Sequence, residues 1–263
     1  MNITVSNLSF GYSKEAWILK NLDFSVEHNR VTGVLGSSGC GKSTLLRLLC
    51  GILPNSPLNV VEGEVTFDGT SPLSQLREQG RMGLMFQEPS LLPNLTVEKN
   101  VRFPLDILGN KDGRIAVSSL IETVGLTEFR HFLPKHLSGG MQTRAALART
   151  FVTRPDLLLL DEPFSALDYG WKMDLYGQLS HLIKTFGATV VIVSHDINEV
   201  VLLADKVLLV SKSGCLIRSA ELPKEKPSSF APDKLGEYFN SIKEEILLLQ
   251  DTLLRERTAN ERC

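Results

Sequence analysis

One eight-residue string limits the fold more than anything else in this chain of 263 residues. Gly36-Ser37-Ser38-Gly39-Cys40-Gly41-Lys42-Ser43 follows a short apolar run at 31–35 and opens a stretch of helical spacing at 42–50. A strand, a glycine-rich turn and a helix in that order make a cradle for a polyphosphate. Consecutive backbone N–H groups around the turn point inward, and the helix N-terminus adds its dipole. Gly36, Gly39 and Gly41 permit the backbone angles and the close approach of the anion. Lys42 reaches the outer phosphates as a point charge, and the Ser43 hydroxyl is placed to ligate Mg²⁺. These eight residues, with Thr44 behind them, are the candidate nucleotide-binding set, and they imply ATP and Mg²⁺ as cofactors.

A second string has the complementary chemistry. Leu157-Leu158-Leu159-Leu160 ends in Asp161-Glu162. A strand flanked by other strands can be apolar throughout, and its carboxylates then emerge at the C-terminal edge where α/β sites lie. Neighbouring side chains on a strand point to opposite sides, so the two acids have different tasks. Asp161 suits Mg²⁺, usually through water. Glu162 is the candidate general base for an attacking water.

The rest of the chain alternates strands with helices, as expected of an α/β domain with a mainly parallel sheet. Residues 2–10, 21–26 and 63–67 predict an antiparallel β layer near the N-terminus. Residues 82–86, 157–160, 189–193 and 207–210 read as buried strands, and 168–186 and 197–204 as helices. Between about 95 and 153 the segments 97–105, 115–124 and 140–153 have helical spacing, which predicts an inserted helical subdomain. The expected division is a nucleotide-binding domain at 1–222, then a proline-rich linker and an amphipathic helix at 223–263. In that helix Leu235, Phe239, Ile242, Ile246, Leu249 and Leu253 recur in steps of four and three, one stripe on a single helix. The stripe faces either its own domain or another subunit.

Composition narrows the setting. The net charge of -2 offers no basic field for nucleic acid, so no nucleic-acid partner is expected. Cys40, Cys50, Cys215 and Cys263 show no paired spacing and fit a reducing compartment. No apolar run approaches the ~18 residues of a membrane span, so a membrane role must come through partners.

Between the two strings lies Leu137-Ser138-Gly139-Gly140-Met141. It resembles the signature of ATP-binding-cassette ATPases, and the resemblance runs from about residue 2 to 218. The implied fold is a RecA-like P-loop NTPase core with the antiparallel layer and the helical insertion. Tyr12 stands where the family stacks an aromatic on adenine. Gln87 matches the glutamine that senses Mg²⁺ and the partner. Asp168, in Ser165-Ala166-Leu167-Asp168, matches the loop that crosses to the other monomer. His195 matches the histidine on the γ-phosphate, so the implied catalytic set is Glu162, His195 and Gln87, and the metal set Ser43, Gln87 and Asp161. Ser138, Gly139, Gly140 and Met141 would act in trans: a helix N-terminus offers a second phosphate device, and two chains head to tail would set it opposite the other's loop.

Met141 replaces the commoner glutamine, with Gln142 following, a variant familiar among importers of small oxyanions and sulfonates. Asn29-Arg30 replaces the usual Gly-Glu. The resemblance implies a dimer of ATP-binding subunits, integral-membrane permease subunits and an extracytoplasmic solute-binding protein, at the cytoplasmic face of the membrane. Leu91, Leu92 and Leu95 either line the groove for the membrane subunit or belong to the helical core. The rival readings are a non-transport cassette ATPase of DNA repair or translation, a P-loop kinase, and a degenerate cassette. The short span from Gln87 to Ser138 and the single phosphate loop disfavour the first. Ser138-Gly139-Gly140 disfavours the second, and intact Glu162 and His195 the third.

Overall fold

The computed structural model describes residues 1–13, 15–53, 58–69, 73–110, 114–165, 169–223, 226 and 232–260. In chain order its elements are β1 (Ile3–Ser13), β2 (Ala16–Val26), β3 (Val31–Gly36), α1 (Lys42–Cys50), β4 (Val60–Phe67), α2 (Leu73–Glu78) and β5 (Met82–Met85). There follow α3 (Val97–Ile107), α4 (Arg114–Thr123), α5 (Gly139–Phe151), β6 (Leu157–Asp161), α6 (Tyr169–Phe186), β7 (Thr189–Ser194), α7 (Ile197–Leu203) and β8 (Lys206–Val210). The chain ends with β9 (Leu216–Glu221), α8 (Pro232–Ser241) and α9 (Lys243–Asn260). Contacts divide it into two units, Met1–Leu73 with Thr189–Cys263, and Ser74–Ala188.

The first unit holds two sheets. In one, β1 lies between β2 and β4, antiparallel to both, and Ile3 is opposite Val26 on one side and Phe67 on the other. The strict alternation of β1 ends at Asn7, whose φ of 48° accompanies a bulge between Val5 and Leu8. Ile3, Val5, Leu8 and Phe10 fill the buried face. In the other sheet β3 lies between parallel β7 and β8, with β9 antiparallel on β8. Every residue of β3 and β7 is buried, which is why both read as unbroken apolar runs. The backbone N–H of Val31 donates to the Asp205 carboxylate at 2.8 Å, fixing where β3 begins.

The C-terminal stripe spans two helices, α8 and α9, that meet at Ile242, where i→i−4 backbone bonds continue from Ile242 N to Tyr238 O at 3.2 Å and from Ile246 N to Ile242 O at 3.1 Å. Ser241 Oγ donates to the Tyr238 carbonyl at 2.7 Å. Leu235, Tyr238, Ile242 and Leu249 are buried within the first unit, and α9 packs on α7. Lys226 Nζ donates to the carbonyls of Val201 and Ala204, so it closes the C-terminal end of α7, and the Tyr238 hydroxyl donates to Val201 O at 3.1 Å.

The second unit holds β5 and β6, paired in parallel with Met85 opposite Leu160. Arg81 and Asp156 join the starts of the two strands, by an ion pair at 2.5 Å and a backbone bond at 2.8 Å. Helices α3, α4 and α5 pack on one another. Thr96 caps α3 by accepting from Lys99 N at 3.3 Å. Asn100, fully buried, accepts from Leu92 N and donates to the carbonyls of Leu92, Leu95 and Thr96, which fixes the segment leading into α3.

Candidate functional site

In the first unit the phosphate loop joins β3 to α1, as its residues require. Gly41 sits at φ 97°, where a Cβ would also meet Leu19 Cδ2 at 2.7 Å. A Cβ on Gly36 would meet Cys40 Sγ at 2.6 Å and Val210 O at 2.7 Å, so that position is closed to side chains. Lys42 is buried and its Nζ donates to Gly36 O at 2.9 Å and Ser37 O at 3.0 Å. The loop thus holds its own cation in place. Burial raises the pKa of the Cys40 thiol, against the opposing pull of Lys42. A protonated, buried thiol is a poor nucleophile, so Cys40 serves through its backbone.

His195 follows Ser194, and Ser194 is opposite Leu35 in the parallel pairing of β7 with β3. The register therefore sends His195 and the phosphate loop out of the same sheet edge. Ser194 Oγ donates to the buried carboxylate of Glu199 at 2.5 Å and accepts from Asp196 N at 3.0 Å, which fixes the turn carrying His195. Tyr12 is 42% exposed, with its ring edge-on to buried Phe10 at 5.1 Å between centroids. Its free face suits stacking on a planar base.

In the second unit the parallel register brings Gln87 and Glu162 together. Each lies two residues beyond the paired Met85 and Leu160, and Gln87 Nε2 donates to Glu162 Oε2 at 3.4 Å. Asp161 is 7% exposed while Glu162 is half-buried, so the two acids have different surroundings, as strand alternation predicts. Glu162 has φ 44°, a left-handed backbone that costs a non-glycine residue about 1–2 kcal/mol. The turn is closed by Ser165 N donating to Glu162 O at 3.2 Å. Backbone strain of this kind recurs at functional sites.

The Ser138-Gly139-Gly140 string opens α5, as expected. Ser138 is the N-cap, its Oγ accepting from Met141 N at 3.3 Å. Gln142 Nε2 donates to Pro134 O at 3.1 Å and Leu137 O at 3.3 Å, holding the entry to the helix. Gly139 is exposed and no described atom lies within 4 Å of where its Cβ would be. Asp168 lies outside the described residues.

A model of the ABC transporter family matches residues 19–165. The chain is also 42% identical over 207 residues to an aliphatic sulfonates import ATP-binding protein of Pseudomonas syringae pv. tomato, over 78% of this chain and 81% of that protein. The chain belongs to the ABC transporter family. Like the other ATP-binding members it is an ATP hydrolase with a P-loop NTPase fold. It is 36% identical over 223 residues to a Fe(3+) ions import ATP-binding protein of Rhizobium meliloti, over 83% of this chain and 55% of that one. A solved dimeric ATP-binding cassette, in a post-hydrolysis state with ADP and Pi, matches at TM-score 0.72 and 28% identity, over 85% of this chain and all of that one.

Sequence reasoning missed three residues of this ABC cassette. Asn100 is a polar residue inside an amphipathic helix, a signal legible only once its carbonyl partners are known. Glu199 is a charged residue that is buried, a rare state without a partner, and Arg149 is half-buried with its fork on the loop after Gln87.

Proposed function

We propose that this ABC ATPase is the motor of an importer for a small oxyanion or sulfonate. Two such subunits work with integral-membrane permease subunits and an extracytoplasmic solute-binding protein, at the cytoplasmic face of the membrane. One observation carries the dimeric reading: the N-terminus of α5 is exposed, capped and built on a Gly139 that nothing described in its own chain approaches. Packing within the chain does not require glycine there, whereas close approach of another body does. Among the described residues no helix is long and apolar enough to cross a membrane, which fits attachment through partners.

The chemistry follows from the residues. The loop amides and Lys42 bind the phosphates of ATP, and Tyr12 stacks on the base. Glu162, oriented by Gln87, takes the proton of a water attacking the γ-phosphorus. His195 donates a hydrogen bond to the γ-phosphate. The buried carboxylate of Asp161, the Ser43 hydroxyl and the Gln87 amide are hard oxygen donors of the kind that suits Mg²⁺. When bound, Mg²⁺ neutralises charge on the phosphate oxygens. The other copy's Ser138, Gly139 and Gly140 close the site, with Asp168 in the crossing loop.

The membrane partner has a surface in the second unit. A groove of about 230 Å³ is lined by apolar Met82, Leu84, Pro104, Ile107 and Leu108 and by polar Arg77, Arg149, Thr150 and Thr153, with Ile107 70% exposed. Leu91, Leu92 and Leu95, the other candidates for that surface, do not line it and are half-buried. Purifying the tagged chain from membranes tests the reading: an integral-membrane permease should co-purify and its addition should raise ATPase activity. A chain recovered free of any membrane protein, or bound to DNA-repair or ribosomal partners, would contradict it.

A further inference from the structure

Arg149 lies in the last turn of α5, the helix whose other end carries Ser138. Its guanidinium reaches the loop that follows Gln87: Nη1 donates to Ser90 O at 2.9 Å and Nη2 to Pro89 O at 3.0 Å. Ser90 itself is held at φ 46°, an unfavourable conformation for a residue with a Cβ. Arg149 is half-buried, and burial lowers its pKa below the ordinary arginine value. Among the described residues it has no ion-pair partner. A half-buried arginine whose fork goes to two adjacent carbonyls and not to a carboxylate makes two charge-assisted hydrogen bonds that hold the loop. The guanidinium spans the two carbonyls with separate nitrogens at a fixed spacing, a geometry that the single nitrogen of a shorter lysine does not reproduce here.

We propose that Arg149 is a positioning residue for Gln87, tying the loop that presents this glutamine to the helix that presents the Ser138 phosphate device. The clamp keeps the strained turn at Ser90 formed and hence keeps Gln87 within reach of Glu162. It also makes the Gln87 loop and α5 move as one piece. Any displacement of the signature end, on engaging a nucleotide, is then felt at Gln87. This rests on the reading of Gln87 as a catalytic-site residue.

Two measurements on the purified full-length chain test it. In hydrogen–deuterium exchange, Arg149→Lys and Arg149→Gln should speed exchange in the 86–92 segment while α3 and β6 stay protected. Thr150→Ser, a packing change at the neighbouring position, should leave that segment as slow as in the wild type. In ATP turnover, Arg149→Gln should cost about 10-fold, the usual scale for a residue that orients a site ligand. In a Gln87→Ala background the same change should cost nothing further. A merely structural arginine would lower turnover by the same factor in both backgrounds, and that result would overturn the proposal. Unchanged exchange at 86–92 in both Arg149 variants would overturn it as well. If Gln87→Ala alone left turnover intact, the role of Gln87 would fall, and the exchange result would still decide whether Arg149 holds the loop.

Discussion

At Glu162, proposed as the general base, the backbone turns sharply out of a fully buried strand with a left-handed φ of 44°, and Gln87 donates to the carboxylate. Glu162→Gln keeps the shape and the hydrogen bonding but cannot take a proton. It should bind ATP as the wild type does and hydrolyse it ~10²–10⁴-fold more slowly, the usual contribution of a general base. Paired nucleotide-binding and phosphate-release assays measure this, and hydrolysis at the wild-type rate would remove Glu162 as the base. Ser138 has a different role. Ser138→Arg puts a long side chain where Gly139 leaves open space, so it should block approach of the second copy. ATP affinity of the dilute monomer should stay within about threefold, less than ~1 kcal/mol, while turnover at high protein concentration collapses. Lost monomer affinity would mean that Ser138 supports the local fold instead.

Strand β6 carries the acids and owes its place to burial. Leu157 through Leu160 are all fully buried, each contributing about 1.5–3 kcal/mol. Leu159→Ala should destabilise the chain by about 2–5 kcal/mol in denaturant unfolding, since the void left cannot fill with water. A loss below about 1 kcal/mol would mean the strand is looser than described. Elements of this kind were the legible ones. An unbroken apolar run ending in two acids, or a glycine string between strand and helix, obeys rules only a few residues long. The edge strand β9 was not legible: Arg218 and Ser219 interrupt its pattern, and the ladder to β8 supplies what its own sequence lacks. The C-terminal stripe runs over the junction of α8 and α9 because Ile242 keeps the four-and-three spacing and the backbone bonds continue through it. The proposed site was named from residue types alone, while Asn100 and Glu199 bond to nearby loop groups and Arg149 to distant carbonyls, and only the folded loops bring those partners into place.

Those C-terminal helices also make a pH prediction. Burial is the main cause that lowers the Lys226 pKa from 10.5 to about 8, partly opposed by Asp205. Between pH 8 and 10 the unfolded chain therefore binds more protons at this lysine than the folded chain. By linkage, stability contributed through Lys226 rises as pH rises across that window. Tyr238, with its pKa raised to about 12 by burial, adds an opposing slope only above pH 10. Relative to Lys226→Met, the wild type should gain thermal stability from pH 8 to 10. Parallel pH profiles for the two proteins would contradict the buried placement of this lysine.

For the molecule as a whole, the proposed dimer sets the exposed α5 terminus of one chain against the phosphate loop of the other. In that proposal each chain brings both halves of the apparatus and shares them with its partner. Two copies of the Glu162→Gln chain, freed of native cysteines, test this when one carries cysteine at Ser38 and the other at Met141. On mild oxidation with ATP present, the account predicts a disulfide between the two chains, absent without nucleotide or with ADP. No disulfide with ATP, even with the permease subunits added, would contradict it.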